Sequence, residues 1–320
     1  VTLLLHSLIH EVKVKEDQVK ALLLANRSGT YQVSADVFID CTGDADVTHL
    51  GAFAYERAGE ISPAQTLTTT FRMVNVDLNA RKSISKDQLH SLMREAAEEG
   101  FELPRKEGSD HITTVENTTA TVMTRLDSIR VHQNGFDSIV EDPYLLTESE
   151  TLGREQALEY ARFLRAKVPG YENADLYGLS TFLGIRETRR VYGDYRVTRD
   201  DVLSARQFDD QIALCGAPIE DHHSGDGTEW RYLPEGSAVG IPISSLRVKD
   251  AENLLVSGRC FSASHDAHAS IRSMGQCMAM GSAAGINAAL SSISHIPIRE
   301  VSTSEIQSKL RESGAVLSTP

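Results

Sequence analysis

Two histidines, His265 and His268, flank Asp266 in the stretch NLLVSGRCFSASHDAHASIRSMGQCMAMGSAAGINAAL, Asn253 to Leu290. Histidine exchanges protons near neutral pH, and a loop leaving the carboxyl end of a strand is a usual seat for a proton carrier. Arg272 follows closely, with a planar guanidinium suited to a carboxylate or an electron-rich ring edge. A second cationic group, Arg186, Arg189 and Arg190 around Glu187, lies in GIRETRRVYGDY, Gly184 to Tyr195. Two readings of it stay open: an anion-binding group, or a salt-bridged helix face. An HxxH pair beside Asp266, completed by His222 and His223, would make a metal-dependent hydrolase the alternative. Its spacing departs from the helical HExxH pattern and no further ligand pattern supports it, so no metal is expected. Serine nucleophile chemistry is disfavoured, because no GxSxG occurs and consecutive Ser264, His265 and Asp266 cannot fold into a triad.

The elements that must position these groups can be read from apolar runs and glycines. Leu254, Leu255 and Val256 form a buried-type strand ending at Ser257-Gly258. The run from Met274 to Leu290 reads as a helix whose Gly275, Gly281 and Gly285 permit close approach. Its first turn would aim unpaired N–H groups at whatever lies beyond the strand end. Ala35 to Asp40 is a second strand of this kind, ending in Cys41-Thr42-Gly43-Asp44. Before it, Thr2 to Leu5 reads as a strand, and His10 to Val33 as a three-stranded β-meander with turns at Glu16-Asp17 and Arg27-Ser28-Gly29. The middle of the chain is mixed. Thr66 to Val76 is rich in β-formers, and Lys86 to Glu99 reads as an amphipathic helix. A second helix is expected from Glu148 to Val168, with Leu152, Ala157, Leu158, Ala161 and Leu164 at near-helical spacing. Asp221 to Gly227, DHHSGDG, reads as a polar loop, and Ser302 to Ser313 as a final helix.

The 320 residues, 41% hydrophobic and 24% charged, have globular composition. A net charge of −13 disfavours general attraction to nucleic acid or anionic membrane, which points to a small-molecule substrate. The four cysteines are scattered without CxxC spacing, as expected for reduced thiols in a cytoplasmic protein. No apolar stretch reaches the roughly 18 residues of a membrane helix.

Taken together, the early meander, DCTGDAD, GIRETRRVYGDY and the stretch from Asn253 onward resemble the FAD-dependent oxidoreductases with a glutathione-reductase-like FAD domain, distantly akin to fumarate reductase flavoproteins. The resemblance covers nearly the whole chain. It implies an α/β fold: an incomplete Rossmann-like FAD-binding domain with a β-meander, formed by residues 1–55 and 235–320, plus an inserted α+β substrate domain over 56–234. It implies FAD as cofactor. Thr42, Gly43 and Asp44 would approach the adenosine half, with Leu8 and Ile9, just after the first strand, against the adenine. Gly258 and Arg259 would lie by the pyrophosphate and ribityl chain, and Gly275, Gln276 and Cys277 at the pyrimidine edge of the flavin. His265 would transfer a proton, Arg186 or Arg272 would clamp an anion, and Arg189 would meet substrate. The family's GxGxxG segment is missing from these residues. The chain therefore reads as the carboxyl-terminal portion of a longer flavoprotein. A remnant or subunit needing a GxGxxG-bearing partner is the competing expectation.

Overall fold

The computed structural model describes residues 1–223 and 227–319. The chain divides into two compact units, the first comprising Val1–Ser62, Glu187–Asp221 and Glu229–Pro320, the second Pro63–Arg186 and His222–Thr228. The insert expected over 56–234 thus appears as a shorter unit, with residues 187–221 packing among those of the first.

The first unit opens with the meander β1 (Leu8–Lys15), β2 (Gln18–Asn26) and β3 (Gly29–Val33), all antiparallel. Glu16 and Asp17 both take positive φ, 52° and 59°, the two-residue turn that matches strand twist. The strand expected over Thr2 to Leu5 does not form. Leu3, Leu4 and Leu5 are exposed and β1 begins only at Leu8, because a strand needs a ladder and a face to bury. Leu8 and Ile9 therefore lie inside a strand, opposite Ala25 and Leu24, rather than after one. Next come β4 (Phe38–Asp40), α1 (Asp46–Leu50) and β5 (Tyr55–Arg57).

The second unit contains β6 (Phe71–Val74), α2 (Leu78–Arg81), α3 (Lys86–Glu98), β7 (Ser109–Ile112), β8 (Thr119–Val122), β9 (Ile129–His132), β10 (Gly135–Ser138), α4 (Pro143–Lys167) and β11 (Asp175–Leu179). Its sheet has the order β11-β6-β8-β7. Phe71, Met73, Leu89, Met93, Tyr160, Phe163 and Leu164 share one core, which joins α3 and α4 to the sheet. A reciprocal cap between Ser85 and Gln88 starts α3 where the periodicity places it. α4 starts at Pro143 rather than Glu148. Asp142 caps it by accepting the Tyr144 N–H at 2.8 Å, and proline suits the first helical position. The buried face of α4 runs through Ala157, Tyr160, Ala161 and Leu164, whereas Leu152 and Leu158 are 44% and 60% exposed.

The chain then returns to the first unit through β12 (Arg189–Val191), which pairs with β5, followed by α5 (Arg199–Leu203) and β13 (Gln211–Cys215). Arg189 and Arg190 of the arginine-rich segment thus lie on a buried strand and not a helix face, all three residues of β12 being buried, while Arg186 precedes it in the second unit. β14 (Ile219–Asp221) and β15 (Glu229–Arg231) form an antiparallel pair, and β16 (Val239–Pro242) pairs with β13. Of the polar DHHSGDG loop between β14 and β15, Ser224, Gly225 and Asp226 lie outside the described residues.

β17 (Leu254–Val256) is buried throughout and pairs in parallel with β4, Leu254 opposite Phe38, Leu255 opposite Ile39 and Val256 opposite Asp40. After it come α6 (His265–Ile271), α7 (Met274–Ser294) and α8 (Thr303–Glu312). α6 stands where the sequence reads as a loop, so His265 and His268 share a short helix. The architecture is mixed α/β, and among the described residues no helix is long and apolar enough to cross a membrane.

The register of α4 is testable by two truncations. Leu164→Ala should cost about 2–5 kcal/mol, whereas Leu158→Ala should stay within about 0.5 kcal/mol. Urea denaturation followed by circular dichroism measures both, and the opposite ranking would mean that the helix is rotated about its axis.

Candidate functional site

The parallel ladder between β4 and β17 carries two glycine turns to one edge of the first unit. Asp40, at the end of β4, is 1% exposed. Its Oδ1 accepts the Thr42 N–H at 3.1 Å and the Thr42 hydroxyl at 2.7 Å, and its Oδ2 accepts the N–H groups of Val47 at 3.0 Å and Thr48 at 3.3 Å. These donors, two of them at the start of α1, offset the cost of burying the carboxylate. They also fold the chain back on itself at once, so the turn Cys41 to Ala45 is fixed from beneath. The ladder continues one step past the strands, with the Ser257 N–H donating to the Asp40 carbonyl at 3.0 Å.

Thr42, Gly43 and Asp44 meet Gly258 and Arg259 there. Asp44 Oδ1 accepts the Thr188 hydroxyl at 2.8 Å and Arg259 Nη2 at 3.2 Å. Arg189 Nη1 reaches the Asp44 carbonyl at 3.0 Å and Asp46 Oδ1 at 3.1 Å. Burial, with Asp44 alongside, pushes the Asp46 carboxyl above its ordinary range in spite of Arg189. Gly43, with φ at 80°, sits so close to Arg259 that a Cβ would lie 2.7 Å from Nη2. Gly258 also has positive φ, 93°, but a Cβ there would meet nothing within 4 Å.

His265 is the first residue of α6, after Ser264, whose hydroxyl accepts the Ala267 N–H at 3.3 Å. It is 6% exposed. Nδ1 lies 3.0 Å from Glu187 Oε2, and Nε2 lies 3.2 Å from Asp221 Oδ1. A ring with a carboxylate at each nitrogen donates twice, which only the imidazolium can do. Burial alone would lower its pKa, but the hydrogen bonds and charges of Asp221 and Glu187 outweigh that and raise it to about 9. Burial works on Glu187 in the other direction, yet the His265 hydrogen bond and the Arg190 charge hold its carboxyl below the usual range. Arg190 Nε lies 3.2 Å from Glu187, and the far end of the same guanidinium pairs with buried Glu56, which also binds Arg196.

His268 behaves oppositely. It is fully buried, with Nε2 2.7 Å from the Arg259 carbonyl, and burial helped by the charges of Arg190 and Arg272 pushes its pKa down to about 3. The HxxH pair is thus one charged ring and one neutral ring, separated by environment alone. Among the described residues only Asp221, His265 and Asp266 group as three metal-capable side chains, so none of His222, His223 and His268 joins such a group. The positive charge at that group is already supplied by the His265 proton and by Arg231, 3.3 Å from Asp266.

Past α6 the chain offers donors. Arg272, its last cap, reaches the Glu220 carbonyl at 3.4 Å, while its buried Nε has no hydrogen-bond partner among the described residues. The same holds for Arg259 Nη1. The start of α7 has no side-chain cap, since the Ser273 hydroxyl turns to the Gln276 side chain. Cys277 Sγ contacts the Arg272 carbonyl at 3.4 Å, and Gly275 faces open space. A 21-residue helix leaves its first N–H groups, with the positive end of its dipole, available here. Arg186 belongs to the second unit, where its Nη1 donates to the Thr66 carbonyl at 2.7 Å. Leu8 lies on the meander by a groove of about 780 Å³ lined by Leu5, Asn26 and Tyr31. Glu187, Asp221 and Asp40 appear in the sequence reading only within motifs and not as site residues. Their only signal is an acidic residue set beside each motif.

Two measurements check this geometry. His265 binds its proton more tightly folded than unfolded, so its contribution is fully present below about pH 6.5 and is lost as pH rises through about 9. His268 is neutral when folded but protonated when unfolded below its ordinary pKa of 6.5, so it lowers stability as pH falls towards about 3. Urea midpoints should therefore peak around pH 6.5, and a level plateau from there to about pH 9.5 would show that the His265 imidazolium does not form. Gly258→Ala should cost about 1–2 kcal/mol of backbone strain, and Gly43→Ala more, because it also displaces Arg259. Equal melting temperatures for the two variants would contradict the Asp44–Arg259 contact.

The model of a family described as FAD dependent oxidoreductase matches residues 1–310. No curated protein matches the chain. Similar solved structures include a triple mutant of the flavin-dependent brominase Bmp2, at 10% identity and TM-score 0.36, covering 96% of this chain and 55% of that one. BexE, studied for oxidation during BE-7585A biosynthesis, has 12% identity and TM-score 0.40 over 96% and 42%. The p-nitrophenol 4-monooxygenase PnpA from Pseudomonas putida DLL-E4 has 8% identity and TM-score 0.38 over 95% and 51%. The chain thus spans about half the length of these structures, and such scores carry no argument of their own. The family match over nearly all of its length places the chain in the FAD dependent oxidoreductase family, with FAD as cofactor.

Proposed function

We propose that this chain carries the greater part of a Rossmann-like FAD site and that the protein transfers hydride between a small organic substrate and FAD. The observation that supports this most directly is the 3.2 Å contact between Asp44 and Arg259 at the carboxyl edge of the parallel β4–β17 pair. Open α/β sheets take their ligands at such edges.

The donor set fits the group. FAD presents phosphate, carbonyl and ring oxygens, and this edge presents two unpartnered guanidinium N–H groups, an uncapped helix start and two glycines, Gly258 and Gly275, beside open space. Thr42, Gly43 and Asp44 would hold the adenosine half with Leu8 and Ile9, and Gly258 and Arg259 the pyrophosphate. Gly275, Gln276 and Cys277 would face the pyrimidine edge. FAD supplies the two-electron redox chemistry when bound. Arg189 braces the Thr42–Asp44 turn. His265 holds a proton at Nε2 against Asp221, Arg272 offers charge to an anionic group, and Arg186 is the candidate clamp within the second unit, the substrate domain in this reading.

FAD titration of the purified chain, followed by flavin fluorescence and absorbance, is the test. Arg259→Met and Arg272→Met should each weaken binding by roughly tenfold, the loss of one charge-assisted hydrogen bond. His265→Gln should still bind FAD but slow substrate reduction of the loaded protein by roughly a hundredfold. Unchanged reduction kinetics would take His265 out of the chemistry. A folded chain that takes up no FAD would favour the reading in which a GxGxxG-bearing partner completes the site.

A further inference from the structure

The first unit is discontinuous in sequence, and the places where its chain ends or resumes coincide with one buried charge cluster. Chain belonging to the first unit stops at Ser62, resumes at Glu187, stops at Asp221 and resumes at Glu229. Glu187 and Asp221, the residues at two of those points, are the two carboxylates on His265, at 3.0 Å and 3.2 Å. Arg231, two residues after Glu229, pairs with Asp266 at 3.3 Å. Shortly before Ser62, Glu56 on β5 is joined to Glu187 through Arg190. Adjacent residues at the start of α6 thus hold three segment ends directly, and Arg190 connects the remaining one.

We propose that His265 is a latch: its imidazolium fastens the Glu187 and Asp221 ends of the first unit to α6, so that loss of its charge frees β12 and the β14–β15 pair together. The argument is electrostatic. The side chains of Glu187, His265 and Asp221 are 0%, 6% and 11% exposed, so each charge is sheltered from water and depends on its neighbours for compensation. The charged and titratable groups around the ring are Glu187 and Arg190 at β12, Arg199 on α5, Glu220 and Asp221 on β14, Arg231 on β15, and Asp266, His268 and Arg272 on or next to α6. Removing the ring's charge leaves two sheltered carboxylates facing a neutral group. Glu187 keeps Arg190, and both carboxylates keep the charge of Arg272, but the hydrogen-bonded bridge between the Glu187 and Asp221 segments through the imidazolium disappears. Nothing in this depends on the redox reading, because every contact lies within the first unit.

Hydrogen–deuterium exchange read by mass spectrometry tests the latch on the purified chain. In His265→Gln, at neutral pH, peptides covering 187–191 and 217–231 should exchange roughly tenfold faster together, as expected for loss of a charge-assisted hydrogen bond to each end. Peptides from α8 and from α3 and α4 should keep their wild-type rates. In the wild-type chain the same two regions should open as pH is raised past about 9, after correction for the intrinsic exchange rate, which repeats the test without any substitution. His265→Gln should show no further opening over that range. Faster exchange in one region only, no change in either, or uniform loss of protection across the first unit would each overturn the latch.

Discussion

The parallel pairing of β17 with β4 is the constraint on which the candidate site depends. The paired segments are three residues each and lie far apart in sequence, yet their register sets Val256 opposite Asp40 and so brings Gly43 and Gly258 to one edge. Three apolar residues on β17, all fully buried, supply the transfer free energy that keeps the strand in place. A one-residue slip would exchange the faces of the strand and move Asp40 away from the donors that satisfy its carboxylate. The buried carboxylate therefore acts as a register check on the apolar pairing.

A second constraint is the buried chain of charges Glu56, Arg190, Glu187, His265 and Asp221. Buried ion pairs are weak stabilisers against a well-packed apolar alternative, but removing one member is strongly unfavourable because it leaves a partner uncompensated. Such a chain favours one arrangement over its neighbours more than it adds to overall stability. It is also what separates His265 from His268. The two rings share one short helix, and the difference between a pKa near 9 and one near 3 comes from what the rest of the fold brings to each.

The glycine-ended strands, the meander and the small-residue helix α7 are legible in the sequence because each is written in consecutive residues. The start of α4 is local too, in Asp142-Pro143, but the apolar spacing further along draws the eye past it. Leu152 and Leu158 mislead, since their spacing fits a helix face and only the tertiary core shows which face is buried. β12 is three residues long and carries two arginines, so no alternation marks it as a strand. Its burial is possible only because Glu56, Asp44 and Asp46 arrive from elsewhere in the chain to join Glu187 just before it. The partners of His265 are hidden for the same reason: Glu187 is 78 residues away, and no local pattern announces it.

The arginines along this edge differ in what they bind. Arg190 is shared between two carboxylates, and Arg189 is bound to the turn at Asp44 and Asp46. Arg259 and Arg272 each keep a buried N–H without a partner, and both act on Cys277 in the first turn of α7. Burying a guanidinium donor without an acceptor is costly, so its persistence at two neighbouring positions needs a compensating acceptor. The acceptor that matches two cations and a helix start is an electron-rich oxygen, which is what a dinucleotide cofactor offers and a hydrocarbon substrate does not. Arg247 also buries Nε and Nη2 without a hydrogen-bond partner among the described residues, so what sets Arg259 and Arg272 apart is that both act on Cys277 at the start of α7.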